Sequence, residues 1–311
     1  MPMPDHFTDL AARVNNWGRW GRTDERGTLN LITPGATAQA ATLIRTGKTF
    51  SLALPLDENG PQIGLIPGRD NPKHTMIMVN AQVLGEDHPF RTSDDRVEMG
   101  LQACTHWDAL AHATYEGRLY NGFDPTTITE AGAPHCGIDK AGTIVGRGVL
   151  LDIPRALGIE KLGNTTQGHA LTPADLDAAV ELARVDIRPG DILLLRTGAM
   201  TALKVGDKVA YNYPTSGPSM RTAPWFHAHD IAAVATDNIA FEVYPPEQDD
   251  TQLPVHLLHL VEMGMLQGQN WDLEALAEDC AEDGVYEFFL SASPEPFTHA
   301  VGAPVNPIAV K

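Results

Sequence analysis

The chain has 311 residues, enough for about two average domains or one large α/β domain. Hydrophobic residues at 43% and charged residues at 20% are ordinary for a globular enzyme, and no segment approaches the ~18 consecutive apolar residues of a membrane span. Forty acidic residues against 22 basic ones give a formal charge of −18, spread along the chain; it repels phosphate backbones and anionic membranes, so neither nucleic acid nor membrane is an expected partner.

The opening, MPMPDHFTDLAARVNN, lacks a basic region followed by an apolar run, and a cytoplasmic protein is expected. Cys104, Cys136 and Cys280 form an odd, widely spaced set without CxxC, which suits reduced thiols. Residues 16–32 are rich in Gly, Trp and charge with no helical or strand period, so about 1–32 reads as an ordered arm. Trp17 and Trp20 need cover, from the core, a second subunit or a substrate ring. Thr33-Pro34 then starts a helix that ends at Gly47, and a strand follows at Thr49 to Leu56. Gly60 to Lys73, with five glycines or prolines in its first nine residues, reads as a mobile lid or binding loop. His74 to Leu84 reads as a strand and Asp94, Asp95 and Arg96 as a charged turn.

The chemistry is concentrated in Gln102–Ala–Cys–Thr–His106–Trp–Asp108–Ala–Leu–Ala–His112. Run extended, Thr105 to Ala109 aims His106 and Asp108 at one point, because side chains alternate along a strand. A turn after Asp108 can return His112 as a third ligand or a proton carrier. An Asp in so apolar a segment needs a partner, and a divalent cation is one. Cys104 is a possible nucleophile, though a small residue filling space explains it as well.

Thr143 to Ile153 reads as a buried strand, followed by an irregular segment to Gln167. Thr172-Pro173 starts a helix with Leu176, Ala179, Val180 and Ala183 on one face, and Asp191 to Thr197 is a second apolar strand. Asn212 to Trp225 reads as a loop and Ile231 to Ile239 as a strand, whose Asp237 either serves function or caps the next turn. VHLLHLVEMGML has a helical period that puts His256, His259, Leu260 and Met263 on one stripe, Asp272 caps a further helix, and VYEFFLSA is a closing strand. Strands alternating with helices argue for α/β architecture, and no GxGxxG or GxxxxGK supports a nucleotide site.

THWDALAH, followed by YNG at Tyr120 to Gly122, resembles the signature of the metal-dependent cyclase-like hydrolases, the family of bacterial kynurenine formamidase and isatin hydrolase, whose motif is His-x-Gly-Thr-His-x-Asp-x-Pro-x-His. Gln102 stands where that family has its first metal-binding His, and Cys104 replaces the Gly. LPVH matches the family's later Leu-Pro-x-His, with His256 as ligand, and Gln269 stands where a metal-binding Glu is expected. The resemblance runs from Gly27 to the end of the chain. It implies one cyclase-like α/β domain over 1–311, a mixed sheet closing toward a barrel with outer helices, assembled as a homodimer or larger.

It also implies one divalent metal, manganese or zinc, on His106, Asp108 and His256, with Gln102 and Gln269 as weaker ligands and His112 as general acid/base. Trp17 and Trp107 are the aromatic candidates for contact with substrate. The expected reaction is hydrolysis of a small, ring-bearing amide, lactam or ester by metal-activated water. Two alternatives are a non-catalytic small-molecule-binding protein with a weakened metal site and a non-haem iron oxygenase built on His106-x-Asp108 and a distal His. The 2-oxoglutarate group of oxygenases calls for an Arg after that distal His, and none lies between His256 and Lys311.

Overall fold

The computed structural model describes residues 2–163 and 166–311, so Asn164 and Thr165 of the irregular segment before Gln167 lie outside the described residues. In chain order the strands are β1 (Thr49–Ser51), β2 (Lys73–Ala81), β3 (Thr92–Glu98), β4 (His106–Asp108), β5 (Val145–Asp152), β6 (Ala170–Leu171), β7 (Ile192–Arg196), β8 (Gly217–Pro218), β9 (Ala233–Thr236), β10 (Leu266–Gln269), β11 (Glu287–Ser291), β12 (Gly302–Pro304) and β13 (Ile308–Val310). Nine form one mixed sheet in the order β1-β13-β11-β5-β7-β9-β10-β4-β12. Its centre, β5, β7, β9 and β10, is parallel, and the strands on either side are antiparallel. β7, β9 and the second half of β5 are mostly apolar because both faces are covered, as parallel sheets require, while β10 carries Gln267 and Gln269.

The sheet curls. β12 and β13 lie near opposite ends of the strand order yet are joined only by Val305, Asn306 and Pro307, a link that spans at most about 14 Å. Hydrogen bonds close the gap: the Val305 amide donates to the Thr105 carbonyl (3.1 Å), and the Leu54 amide, just past β1, donates to Thr105 Oγ1 (2.8 Å). The fold is therefore the expected mixed sheet closing toward a barrel with helices outside it.

One sheet face packs Trp107, Trp271, Leu150, Leu194 and Phe288, the other Val149, Leu193, Leu195 and Val234 with the surrounding helices. The helix at Pro173–Ala183 begins with a reciprocal Thr172–Asp175 capping box and buries Leu176, Ala179 and Ala183. An N-terminal helix, Asp5–Val14, buries Phe7, Ala11 and Val14 on the same layer.

Several expected elements differ. The helix after Thr33 stops at Ala41 instead of Gly47, and the strand after it is only Thr49–Ser51. Asp94, Asp95 and Arg96 are not a turn; they lie in β3, which pairs with β2 in a two-stranded ribbon exposed along most of its length. The segment after Asn212 contains β8 and a helix at Ala223–Ala228. The expected continuous helix from Val255 is a short α-turn, Pro254–His256, then a π-helix at Leu257–Met263, and Leu266 already belongs to β10. No helix among the described residues is long and apolar enough to cross a membrane.

Candidate metal centre

β4 lies between β10 and β12, with Gln267 opposite Asp108 and Gln269 opposite His106. Directly opposed residues share a face, so His106, Asp108, Gln267 and Gln269 project together while Trp107 and Gly268 project to the other side. There Trp107 packs edge-to-face on Trp271 (4.9 Å between ring centroids), and a Cβ at Gly268 would stand 2.8 Å from the Trp271 indole nitrogen and 3.0 Å from the Trp107 ring. Glycine at 268 is what lets two indoles brace the strand that carries the site.

His106 Nδ1 donates to the Cys104 carbonyl at 2.7 Å, which fixes the tautomer and leaves a lone pair on Nε2. That Nε2 lies 3.4 Å from Asp108 Oδ1, and both atoms are buried without a hydrogen-bond partner. His256 is fixed in the same way from the other side. The Glu242 carboxylate accepts the amide N–H of Val255 (3.0 Å) and His256 (2.9 Å) and His256 Nδ1–H (2.6 Å), so Nε2 faces Asp108 Oδ2 at 3.9 Å. Gln269 Nε2 donates to Asp108 Oδ2 at 2.5 Å and lies 3.5 Å from His256 Nε2.

His112 returns over the site through a turn closed by its amide on the Ala109 carbonyl, which puts its Nε2 3.7 Å from Asp108 Oδ1. The His112 side chain is 22% exposed while those of His106, Asp108 and His256 are at most 8% exposed, so the site opens to solvent at His112.

Burial alone would raise the Asp108 carboxyl, but the charges of His112, His106 and His256 outweigh it and hold the group well below the carboxylate range. Burial lowers His112 below its ordinary 6.5, against the pull of Asp108, and so favours the neutral base. For His256 burial also opposes protonation, yet the bond to Glu242 and the charges of Glu242 and Asp108 prevail and raise its pKa.

These donors fit a divalent ion. Two lone-pair atoms buried at 3.4 Å without a proton between them repel each other unless a cation or proton joins them, and ligands ~2.1 Å from a tetrahedral ion lie about 3.4 Å apart. No three His, Cys, Asp or Glu side chains among the described residues form a complete cation cage. The Gln269 amide nitrogen, a donor that cannot ligate, stands between Asp108 and His256, and a half-turn of that amide presents its oxygen instead.

The other residues singled out from the sequence fall elsewhere. Gln102 forms no hydrogen bond with the four site side chains; its amide nitrogen lies beside β12, where a Cβ on Gly302 would come within 2.6 Å of it. Trp107 is wholly buried with its indole N–H on the Ala292 carbonyl, so it is a core residue and not a substrate contact. Trp17 packs on the core beside Gly122 and donates to the Val261 carbonyl. Burial pushes the Cys104 thiol up to about 12, the opposite of what a nucleophile needs. Asp237 accepts from the Thr197 amide and hydroxyl and the Gly198 amide, so it ties down the turn after β7 and not, as the capping alternative had it, the turn that follows its own strand. Glu242 went unnoticed in the sequence, since nothing local in AFEVY marks it. His259, expected on the stripe of His256, instead meets Phe226 and Phe241 in the core.

A family model described as "Putative cyclase" matches residues 17–243. This chain belongs to the cyclase family. A crystal structure of a "novel cyclase" is 44% identical to this cyclase-family chain, with TM-score 0.88 over 97% of this chain and 99% of that one. Isatin hydrolase A from Labrenzia aggregata, bound to benzyl benzoate, is 18% identical with TM-score 0.61 over 90% and 98% of the two chains. A "potential metal-dependent hydrolase with cyclase activity" is 17% identical with TM-score 0.51 over 84% and 98%. The last two are likenesses of fold. No curated protein matches this cyclase-family chain.

Proposed function

We propose that this protein is a metal-dependent hydrolase of a small cyclic or aryl amide, lactam or ester. The observation that carries the reading is the buried convergence of His106 Nε2 and His256 Nε2 on Asp108, with each imidazole held by its Nδ1 and with His106 Nε2 and Asp108 Oδ1 lacking partners. His106, Asp108 and His256 would hold one manganese or zinc ion, with Gln269 Oε1 as a further oxygen ligand; a set this rich in oxygen tilts the preference toward manganese. When bound, such an ion polarises a carbonyl oxygen and makes water a nucleophile near neutral pH. The fold of isatin hydrolase, an enzyme named for opening a ring amide, is consistent with this class of substrate.

The residues divide the remaining work. Neutral His112, on the open side of the site, takes a proton from the attacking water at its free nitrogen and returns it to the leaving nitrogen or oxygen. Glu242 orients His256, and the Cys104 carbonyl orients His106. Trp107 and Trp271 brace β4 from behind. The test is a panel of formanilides, aryl lactams and lactones given to wild type and His112→Ala. Turnover in wild type that falls about 10²–10⁴-fold in the variant, at unchanged metal content, is expected; normal turnover in His112→Ala contradicts the assigned role.

A homodimer or larger assembly belongs to the same proposal. The β2–β3 ribbon exposes Ile77, Val79 and Val97, at 61%, 72% and 53%, and an isolated two-stranded ribbon is marginal in water, which supports a second copy as its cover. Light scattering that shows a dimer, dissociated by Val79→Lys, is the expected result.

A further inference from the structure

The two imidazoles that face Asp108 from either side are held from behind by unlike groups. His256 Nδ1 donates to a carboxylate, that of Glu242, at 2.6 Å, while His106 Nδ1 donates to a backbone carbonyl, that of Cys104, at 2.7 Å. The Glu242 carboxylate is fixed by the two amides it also accepts. The Cys104–Thr105 peptide has no such advantage: it lies ahead of β4, outside the pairing that holds the strand. Its carbonyl can orient His106 only if something else orients the carbonyl.

That group is Asn270. Its Nδ2 donates to the Cys104 carbonyl at 3.0 Å, so both lone pairs of this oxygen are taken, one by Asn270 and one by His106. Asn270 follows Gln269 directly, where the chain leaves β10 with a φ of 60°, a conformation Asn adopts more readily than most residues. Its own backbone is pinned on both sides, the amide donating to the Asn238 carbonyl (2.9 Å) and the carbonyl accepting from the Thr105 hydroxyl (2.6 Å). Tyr211, in the short helix Lys208–Asn212, decides which end of the Asn270 amide faces Cys104. The Tyr211 hydroxyl donates to Asn270 Oδ1 at 2.7 Å, nearer than the Asp237 carbonyl at 3.3 Å. A turned amide would set Oδ1 against the Cys104 oxygen with no proton between them. Tyr211, Asn270 and Cys104 are at most 1% exposed, and a buried polar chain holds its shape when every member has its partner.

We infer that Asn270, held by Tyr211, is a positioning residue for His106: it fixes the carbonyl that keeps the ring in its Nδ1–H form with Nε2 toward Asp108. The inference rests on the metal reading for what Nε2 then binds, but not for the form of the ring. Both residues act through the peptide ahead of β4 and not on substrate.

The ring is read directly by nitrogen-15 NMR of the histidines in protein freed of metal, with His106 assigned by the signal lost in His106→Gln. Wild type is expected to show His106 as the Nδ1–H tautomer with a slowly exchanging ring proton. Asn270→Gly, which suits the positive φ, should lose the slow exchange and mix the two tautomers; an unchanged tautomer and proton overturns the inference. Titration with manganese alone reads the consequence. Affinity should fall about 10–100-fold in Asn270→Gly and by a smaller factor, in the same direction, in Tyr211→Phe. A lowered melting temperature with tautomer and manganese affinity unchanged makes Asn270 a structural tie and overturns the positioning role. Where Asn270→Gly does not fold, Tyr211→Phe carries the test: faster exchange of the His106 ring proton upholds the inference and unchanged exchange overturns it. Wild type that binds no manganese, yet whose His106 tautomer responds to Asn270→Gly, upholds the positioning role and counts against the metal reading.

Discussion

His256 and His259 lie three residues apart on one helical segment, both buried, and meet opposite surroundings. His256 has Nδ1 on the Glu242 carboxylate and Nε2 toward Asp108. His259 has Nδ1 against the Gln267 amide, and its Nε2 lies without a partner among Phe226 and Phe241, where burial and the charge of His256 lower its pKa to about 3. An α-helix, at about 3.6 residues per turn, would put the two on one stripe; the π-turns from Leu257 hold more residues each and swing His259 into the core. The difference teaches that a buried histidine becomes a site residue through its carboxylate partner. Burial alone leaves it neutral and inert.

The largest effect that could break this contrast is on His256 itself: His256→Ala should lose both bound metal and turnover, and retention of either would remove it from the ligand set. Glu242→Gln keeps the shape but loses the charge, and metal affinity should fall about 10–100-fold while the fold stays intact; an unchanged affinity in a metal titration would make Glu242 a mere cap for the Val255 and His256 amides. The pH profile comes next. Burial holds His112 below its ordinary 6.5, so its base form persists into mild acid, and the acid limb of kcat/KM should have its midpoint below pH 6.5 and vanish in His112→Gln. A midpoint above that value would contradict the environment assigned to His112. The smallest effect belongs to His259: His259→Leu should leave kcat/KM within about twofold and shift stability by ~1 kcal/mol in either direction, because it exchanges one core side chain for another.

Much of this was legible in the sequence, for reasons that differ by element. β5, β7 and β9 announce themselves by their short apolar runs, VLL, ILLL and AVA, because both faces of a parallel sheet are buried. The pair His106 and Asp108 follows from strand alternation alone, and His112 from the turn after it. β3 stayed hidden because SDDRV alternates nothing: the ribbon is exposed on both faces, so no hydrophobic period marks it. The π-helix, and with it the fate of His259, depends on packing that no local pattern encodes. Glu242 is likewise invisible, since it reaches the site through a turn whose path is set by a distant contact, its carboxylate on the Val255 and His256 amides. Trp107 misled in the opposite sense: its place between two site residues suggested substrate, while alternation sends it to the back of the sheet.

The most direct test of the central claim is metal stoichiometry by elemental analysis on protein purified without chelator or metal-binding tag, set beside Asp108→Ala. The account predicts about one manganese or zinc per chain, lost in the variant, because Asp108 faces all three imidazoles. Wild-type protein that takes up no metal on reconstitution, or an Asp108→Ala variant that keeps it, would contradict the account, and the first result would favour a binding protein in which Gln269 has taken the place of the ion.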